Sequence, residues 1–181
     1  MSEDIGSIEW TPEFYLSADN FSGVVNESDS HDANTRSAIN YFFNSKINED
    51  KKRYKIKVVD IQVRAYFVPE ASWIRPKALE SINLTKLIKH EQGHFDLTEK
   101  CARRFERKLK NKFKNKTFSF NKNSTSDPVE EVKNLIQLEF DMLLDEFRQR
   151  TVDYDKATNY GLITSEQEKF DAQFTQLREK K

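Results

Sequence analysis

The chain has 181 residues, of which 30 are basic and 30 are acidic, so its formal net charge is zero. This balance argues against nucleic-acid binding, and no apolar run approaches the roughly 18 residues that an integral membrane segment needs. The single cysteine, Cys101, excludes an internal disulfide and a multi-cysteine zinc site, while 14 Phe, 6 Tyr and 2 Trp provide bulky core side chains.

The first part of the chain has the pattern of extended structure. Residues 7–21 mix short apolar stretches with a proline, and we expect them to be extended. In residues 54–68 apolar and polar side chains alternate, with a phase slip near Asp60 that predicts a strand with a β-bulge. A short charged stretch separates this run from residues 35–47, so the two runs are predicted to form a hairpin.

A long helix is predicted next, beginning at about Leu79 or Thr85 and ending at Phe113. Its apolar residues recur at spacings of three and four, and it contains no proline. Packed against the hairpin, this helix indicates an α+β fold with a small antiparallel sheet.

Two more helices are predicted after a turn-rich linker at 121–128. The first covers about 129–150, with Asp127 as its N-cap and Pro128 as its first helical residue. Residues 151–161 are predicted to be irregular. The last helix covers about 164–179 and begins with a capping-box pattern.

Charge is distributed unevenly along the chain. Residues 1–34 carry eight acids and no lysine or arginine, whereas residues 103–122 carry nine bases and one acid. The basic stretch is typical of a solvated helix end, where cations interact with the negative pole of the helix dipole. The alternative is a contact surface for an anionic partner or for the acidic N-terminus of the chain itself.

The long helix contains the sequence His90-Glu91-Gln92-Gly93-His94, an HExxH motif. Two histidines four residues apart lie on one face of a helix, where both imidazoles can bind one ion. The intervening Glu91 can act as a general base toward a metal-activated water, as in zinc peptidases. Gly93 costs about 1 kcal/mol relative to Ala in mid-helix, which indicates that substrate or a neighbouring strand approaches the backbone there.

The sequence around this motif resembles the DUF922 family, bacterial proteins described as predicted secreted zinc-dependent proteases. The resemblance covers about residues 8–175 and is most specific in HEQGHFDLTE at 90–99. Looser similarity extends over residues 8–10, 16–21, 33–39, 72–74, 87–89, 102–103 and 154–161. The resemblance implies a zincin-like fold and metallopeptidase chemistry with a bound Zn²⁺.

This chain departs from the family pattern at Tyr160, where the C-terminal signature usually has a histidine. That histidine is the natural third zinc ligand, because a catalytic zinc takes three protein ligands and a water. Tyr160 is our first choice for the third ligand and Asp155 the second. If it is not a ligand, the Tyr160 hydroxyl could donate to a developing oxyanion. The other candidates are Glu139, Asp145 and His31, and we expect His31 to lie on the surface.

The leading hypothesis is therefore one zincin-like metallopeptidase domain over residues 1–181, with frayed ends at 1–7 and 176–181. His90, His94 and Tyr160 would bind zinc, and Glu91 would be the general base acting on a peptide or protein substrate. The rival hypothesis is a catalytically degenerate binding or scaffolding protein. The resemblance implies an extracytoplasmic location, although residues 1–10 do not read as a signal peptide.

Overall fold

The computed structural model describes residues 6–122 and 127–179, which form a mixed α+β structure. The strands are β1 (Ile8–Glu9), β2 (Ala33–Asn34), β3 (Ser37–Glu49), β4 (Arg53–Phe67), β5 (Trp73–Ile74) and β6 (Thr117–Asn121). The helices are α1 (Pro76–Leu79), α2 (Leu84–Phe113), α3 (Pro128–Thr158) and α4 (Thr164–Glu179). The α+β class is thus confirmed, with small antiparallel sheets as predicted.

Strand β4 is the centre of the larger sheet. It pairs antiparallel with β3 along one edge, and with β1 and β6 at the two ends of its other edge. Asn44 pairs with Asp60 and Ser45 with Val58, so Val59 is the extra residue of a bulge. The predicted hairpin and phase slip are confirmed. The alternating side chains of β4 face the core: Ile56, Val58, Ile61, Val63, Ala65 and Phe67.

Strand β6 extends this sheet in a segment for which the sequence predicts no strand. After α2 ends, Asn115 adopts a left-handed conformation (φ 65°), and its amide donates to the carbonyl of Val58 at 2.8 Å. The amide of Val58 in turn donates to Lys116 at 3.0 Å. Strand β6 pairs with residues 53–57 of β4, and its alternation of polar residues with Phe118 and Phe120 suits a strand, although the segment is only five residues long.

The N-terminal segment is less extended than predicted. Within residues 7–21 only Ile8–Glu9 form a strand, and Ala18–Asn20 form a 3₁₀ turn. The segment is held by side chains of helix α2: Trp10 Nε1 donates to Asp96 at 2.7 Å, and Leu16 N donates to Gln92 at 2.7 Å.

Helix α3 is longer than predicted, since it continues through residues 151–158. Tyr154 and Thr158 are buried in this extension. Their burial outweighs the weak helix propensities of Thr151 and Val152. The prediction of irregular structure at 151–161 is therefore wrong for most of that segment. Asp127 caps α3 by accepting a hydrogen bond from Val129 N at 2.9 Å, as predicted.

The chain ends lie only partly within the described residues. Residues 1–5 and 180–181, where fraying was predicted, and residues 123–126 of the predicted linker lie outside them. Residues 176–179, also predicted to fray, belong to helix α4. Arg178 there donates to the carbonyls of Pro12 and Phe14 at 2.8 and 2.9 Å, which fixes the last turn to the N-terminal segment.

The basic stretch at 103–122 is largely neutralised by acids elsewhere in the fold. Glu146 of α3 pairs with Arg104 and Lys108, and Asp60 of β4 pairs with Lys110 and Lys114. None of these partners belongs to the described part of the acidic N-terminus, and Glu3 and Asp4 lie outside the described residues. No described helix is long and apolar enough to cross a membrane.

Candidate metal centre

Two imidazoles from one face of helix α2 form the start of the site. His90 and His94 lie one turn apart, with ring centroids separated by 4.9 Å and ring planes at 81°. His90 is buried and His94 is only slightly exposed. The helical spacing therefore brings both rings to one point, as the HExxH pattern predicts.

Asp155 of helix α3 completes a group of three possible metal ligands. Its Oδ1 lies 3.3 Å from His90 Nε2 and 2.9 Å from His94 Nε2. One ligand atom from each of the three residues lies within 4.8 Å of the other two. Asp155 Oδ1 is buried, and no donor among the described residues is aligned to hydrogen-bond with it. Such a buried, orphaned carboxylate oxygen beside two imidazole nitrogens fits a cation site.

The ionisation of these groups reflects their mutual proximity. Burial alone would raise the pKa of Asp155, but the two imidazoles hold that pKa well below its usual range. Burial lowers the pKa of His94, yet the nearby carboxylates of Asp155 and Glu91 outweigh it and leave the pKa raised. The site thus holds an ionised carboxylate that favours a proton or a metal cation between the rings.

Glu91 lies in the same cleft as the three possible ligands. It is 3% exposed, and its Oε2 has no hydrogen-bond partner among the described residues. A buried carboxylate without a partner costs free energy unless a ligand, an ion or water satisfies it. Glu91 follows His90 in the helix and lies beside the three possible ligands, but its carboxylate is not one of the clustered ligand atoms.

Gln167 of helix α4 orients the ring of His90. Its Oε1 lies 3.1 Å from His90 Nδ1, and it accepts the Nδ1–H when Nε2 faces Asp155. Its Nε2 also donates to the hydroxyl of Tyr154 at 2.8 Å. Tyr154 stacks on His90 with an interplanar angle of 8°, and burial raises the Tyr154 pKa well above its usual range. These neutral partners fix the His90 ring without adding charge.

Sequence reasoning did not find these two supporting residues. In the sequence, Gln167 belongs to the predicted capping-box pattern at the start of α4, and Tyr154 belongs to the segment 154–161 that resembles the family. The available signal was weak, because one buried glutamine on an amphipathic helix looks like any other polar helix residue.

Two glycines allow the helices to approach the site closely. A Cβ at Gly93 would lie 2.0 Å from the Tyr154 hydroxyl, so the neighbour is a side chain of α3 and not the strand or substrate that was expected. A Cβ at Gly161 would lie 2.9 Å from His90 Cβ, and Gly161 has a φ of +80°. Both positions require glycine for space, and Gly161 also requires it for its backbone conformation.

Tyr160 lines the cleft at a different place from Asp155. Its side chain packs against His31, with ring centroids 4.4 Å apart, and the residue is 46% exposed. Asp155, the second choice from sequence, is the residue that lies between the two imidazoles. Metal ligation by Tyr160, or donation from its hydroxyl, stays a prediction.

The remaining ligand candidates divide between the cleft and the surface. Glu139 pairs with Lys112, and Asp145 forms an exposed pair with Arg148. Neither lies among the cleft residues. His31 is partly exposed, in keeping with the expected surface position, and it also lines the cleft.

Three other residues near the motif have partners elsewhere. Asp96 accepts from Trp10 and Arg178, Glu99 pairs with Arg103, and Thr98 donates to the His94 carbonyl at 2.7 Å. They therefore support the helix and its packing, whereas Gln167 contacts the His90 ring and Asp155 contacts both imidazoles.

The cleft has a volume of about 800 Å³. It lies between the β2 segment, the start of α2 and the end of α3. A cleft of this size accommodates several residues of an extended peptide or a small organic ligand.

Comparison with known proteins gives a family without an assigned activity. No curated protein and no solved structure matches the chain. A family model described as "Bacterial protein of unknown function" matches residues 11–161, which include the HExxH motif, Asp155 and Tyr160. The chain therefore belongs to the DUF922 family.

Proposed function

We propose that this protein is a zinc-dependent metallopeptidase. The observation that supports this best is the convergence of His90, His94 and the orphaned Asp155 carboxylate in one cleft with the unpartnered Glu91. An unpartnered base next to a three-residue ligand set is the arrangement that metal-assisted amide hydrolysis requires. We also propose a zincin-like arrangement of the fold, since the two metal-binding histidines lie on one long helix behind an antiparallel sheet.

The donor set fits zinc. Two imidazole nitrogens and one carboxylate oxygen are typical ligands of a catalytic zinc site, which leaves one position for water. When bound, the metal would lower the pKa of that water and polarise the scissile carbonyl. Gln167 holds the His90 ring so that its Nε2 faces the metal position, and the Asp155 carboxylate supplies the negative charge that offsets the cation.

Glu91 is the general base of the proposed reaction. Its buried carboxylate takes the proton of the attacking water and later passes it to the nitrogen of the departing amine. The walls of the cleft, including residues 33–35, hold the peptide segment in place. A peptide or protein is thus the proposed substrate, and we propose no nucleic-acid partner because the basic side chains are largely paired.

Metal analysis of purified variants tests this proposal. We expect about one zinc per chain in the wild type, and large losses in His90→Ala and Asp155→Ala. Asp145→Ala removes an exposed carboxylate from the same helix as Asp155 and should retain zinc. Glu91→Gln should also retain zinc while hydrolysis of labelled casein falls by about 10²–10⁴-fold. A wild type that binds no added zinc, or zinc binding that survives in His90→Ala, would contradict the proposal.

A second candidate function is a metal-binding module without catalytic activity. The observation in its favour is Tyr160, which stands where the family signature that this chain resembles usually has a histidine. Comparison of the wild type with Tyr160→His distinguishes the two. Peptidase activity that appears only in Tyr160→His would favour the module, whereas activity in the wild type would favour the enzyme.

We further propose an extracytoplasmic location, supported by the family resemblance alone. Fractionation of the native host, with detection of the chain by antibody, tests it. Recovery only with cytoplasmic markers would contradict the proposal.

A further inference from the structure

A second hydrogen-bonded pair of side chains lines the same cleft as the proposed metal ligands. Asp29 Oδ1 lies 2.6 Å from His31 Nδ1 and also accepts the backbone amide of His31 at 2.9 Å. Both residues line the cleft together with His90 and Glu91. An aspartate–histidine pair at a cleft wall is a chemically competent unit, because the carboxylate fixes the tautomer and stabilises the protonated ring.

Arg75 holds the loop that carries this pair. Its guanidinium donates to the carbonyl oxygens of Asn26, Asp29 and His31, and it pairs with Glu27 at 2.9 Å. The Arg75 side chain is mostly buried, and its bonds to the carbonyls of Asp29 and His31 are partly buried, whereas those to Asn26 and Glu27 are exposed. Three contacts to carbonyl oxygens from one rigid, planar guanidinium fix the backbone around the Asp29–His31 pair. The loop is therefore built to present Asp29 and His31 in one position.

Tyr160 joins the pair to the end of helix α3. Its ring packs on the His31 ring at 4.4 Å, and its amide donates to the carbonyl of Asp155 at 3.0 Å. Asn159 and Tyr160 both have left-handed backbones, with φ values of 46° and 55°. At Asn159 this is the left-handed cap that asparagine commonly adopts at a helix end, whereas a positive φ is uncommon for an aromatic residue such as Tyr160. This strained turn places Tyr160 against His31 at the cleft.

The hydrogen bonding determines which atom of His31 can act. Because Nδ1 is committed to Asp29, Nε2 is the ring nitrogen that can reach a ligand in the cleft. In the protonated ring Nε2–H is a donor, and the Tyr160 hydroxyl is another. Positioned donors stabilise negative charge that develops on a reacting oxygen.

We propose that the Asp29–His31 pair is the oxyanion-binding element of the site. The donor is Nε2–H of the protonated His31 ring, whose Nδ1–H is held by Asp29, and Tyr160 is the residue that positions the ring. This inference rests on the proposed peptidase function. The attacking water forms a bond to the scissile carbon and gives a proton to Glu91. The π electrons of the carbonyl move to its oxygen, and this oxygen accepts the hydrogen bond from His31. When the C–N bond breaks, its electron pair stays on nitrogen, which receives the proton from Glu91.

Binding of two probes to the zinc-loaded protein tests the proposal. An N-phosphoryl dipeptide presents a tetrahedral anion like the proposed oxyanion, whereas acetohydroxamate binds the metal without presenting that group. His31→Phe keeps an aromatic ring against Tyr160 and removes the donor. We expect it to weaken N-phosphoryl dipeptide binding at least about tenfold by calorimetry, while acetohydroxamate affinity and zinc content stay within about twofold. Asp32→Asn, in the same loop, should change neither affinity.

The outcomes separate failure of the inference from failure of the proposed function. Equal affinity of the N-phosphoryl dipeptide for wild type and His31→Phe, with normal zinc and acetohydroxamate binding, would overturn the role of His31 alone. A wild type without zinc would overturn both proposals. NMR of the His31 ring in metal-free protein gives a second readout. Among neutral His31 rings the Nδ1–H tautomer should dominate in the wild type and lose its dominance in Asp29→Asn, and identical tautomer populations in the two proteins would overturn the pairing.

Discussion

The hydroxyl oxygen of Tyr154 occupies the space that a side chain at Gly93 would need, only 2.0 Å from the ideal Cβ position. That hydroxyl also donates to the carbonyl of His90 at 3.1 Å. Helix α3 therefore approaches the turn of α2 that carries His90 and His94 at Gly93, which has no side chain.

We predict that Gly93→Ala destabilises the protein although alanine is the better helix former. Alanine would gain about 1 kcal/mol of helix propensity, but the added methyl group must displace the buried Tyr154 ring, and overpacking typically costs about 1–3 kcal/mol. Thermal and denaturant unfolding of the metal-free protein measure the net loss. Asn111→Ala, on an exposed face of the same helix, is the control and should not destabilise the protein. Equal stability of Gly93→Ala and wild type would contradict the packing described here.

The contact between Gln167 and His90 predicts an effect on metal affinity. Gln167→Leu removes the acceptor of the Nδ1–H while keeping a side chain of similar size. The loss of a partner that orients a metal-bound histidine typically lowers affinity about 10–100-fold. Gln173→Leu, on the same helix but at an exposed position, serves as the control. Competition titration with a chromophoric chelator measures both, and equal zinc affinity of Gln167→Leu and wild type would contradict the role of Gln167.

The Asp155–His94 contact predicts how the stability of metal-free protein depends on pH. The pKa of His94 is higher in the folded protein than in the unfolded chain, where it is about 6.5. Protonated His94 therefore stabilises the fold fully below about pH 6.5, and this stabilisation is lost as the pH rises through the pKa of the folded protein. The pKa of Asp155 is lowered, so its contribution is present above its unfolded value of about 4. Wild type should therefore exceed Asp155→Ala in stability by more at about pH 5.5 than at about pH 8.5.

Unfolding in the presence of a chelator at these two pH values measures that difference. Asp145→Ala is a suitable control, because its exposed carboxylate makes a pair of little energetic value. A stability difference between wild type and Asp155→Ala that does not change with pH would show that the two groups do not interact in solution.

The buried pair between Arg178 and Asp96 predicts that the end of helix α4 stabilises the whole fold. The two side chains are 8% and 5% exposed, and Arg178 also donates to backbone carbonyls of the N-terminal segment. Removing one partner of a buried pair typically costs about 3–5 kcal/mol, because the other charge is left unpaired.

Arg178→Ala should therefore destabilise the protein far more than Arg148→Ala. Arg148 belongs to an exposed pair with Asp145, whose loss should cost about 1 kcal/mol or less. Denaturant unfolding of the two variants tests the difference. Similar small losses in both would indicate that Arg178 does not hold the N-terminal segment in place.

Sequence alone predicted the features that depend on local periodicity. The helical spacing of His90 and His94, the alternation in β4, the bulge beside Asp60 and the cap at Asp127 all follow from residues close together in the chain. Each requires only the regular geometry of a helix, a strand or a helix end.

The tertiary structure decided which distant groups surround the two histidines. Asp155 follows the motif by more than 60 residues, and Gln167 and His31 lie on other elements, so helix packing and the Arg75-bound loop bring them to the site. The same packing buries Tyr154 and continues α3 beyond the predicted end, since burial of its side chains outweighs local propensity. The sequence determined that His90, Glu91 and His94 lie together on one helix, and the packing of α2 against α3 and α4 decided which residues surround them.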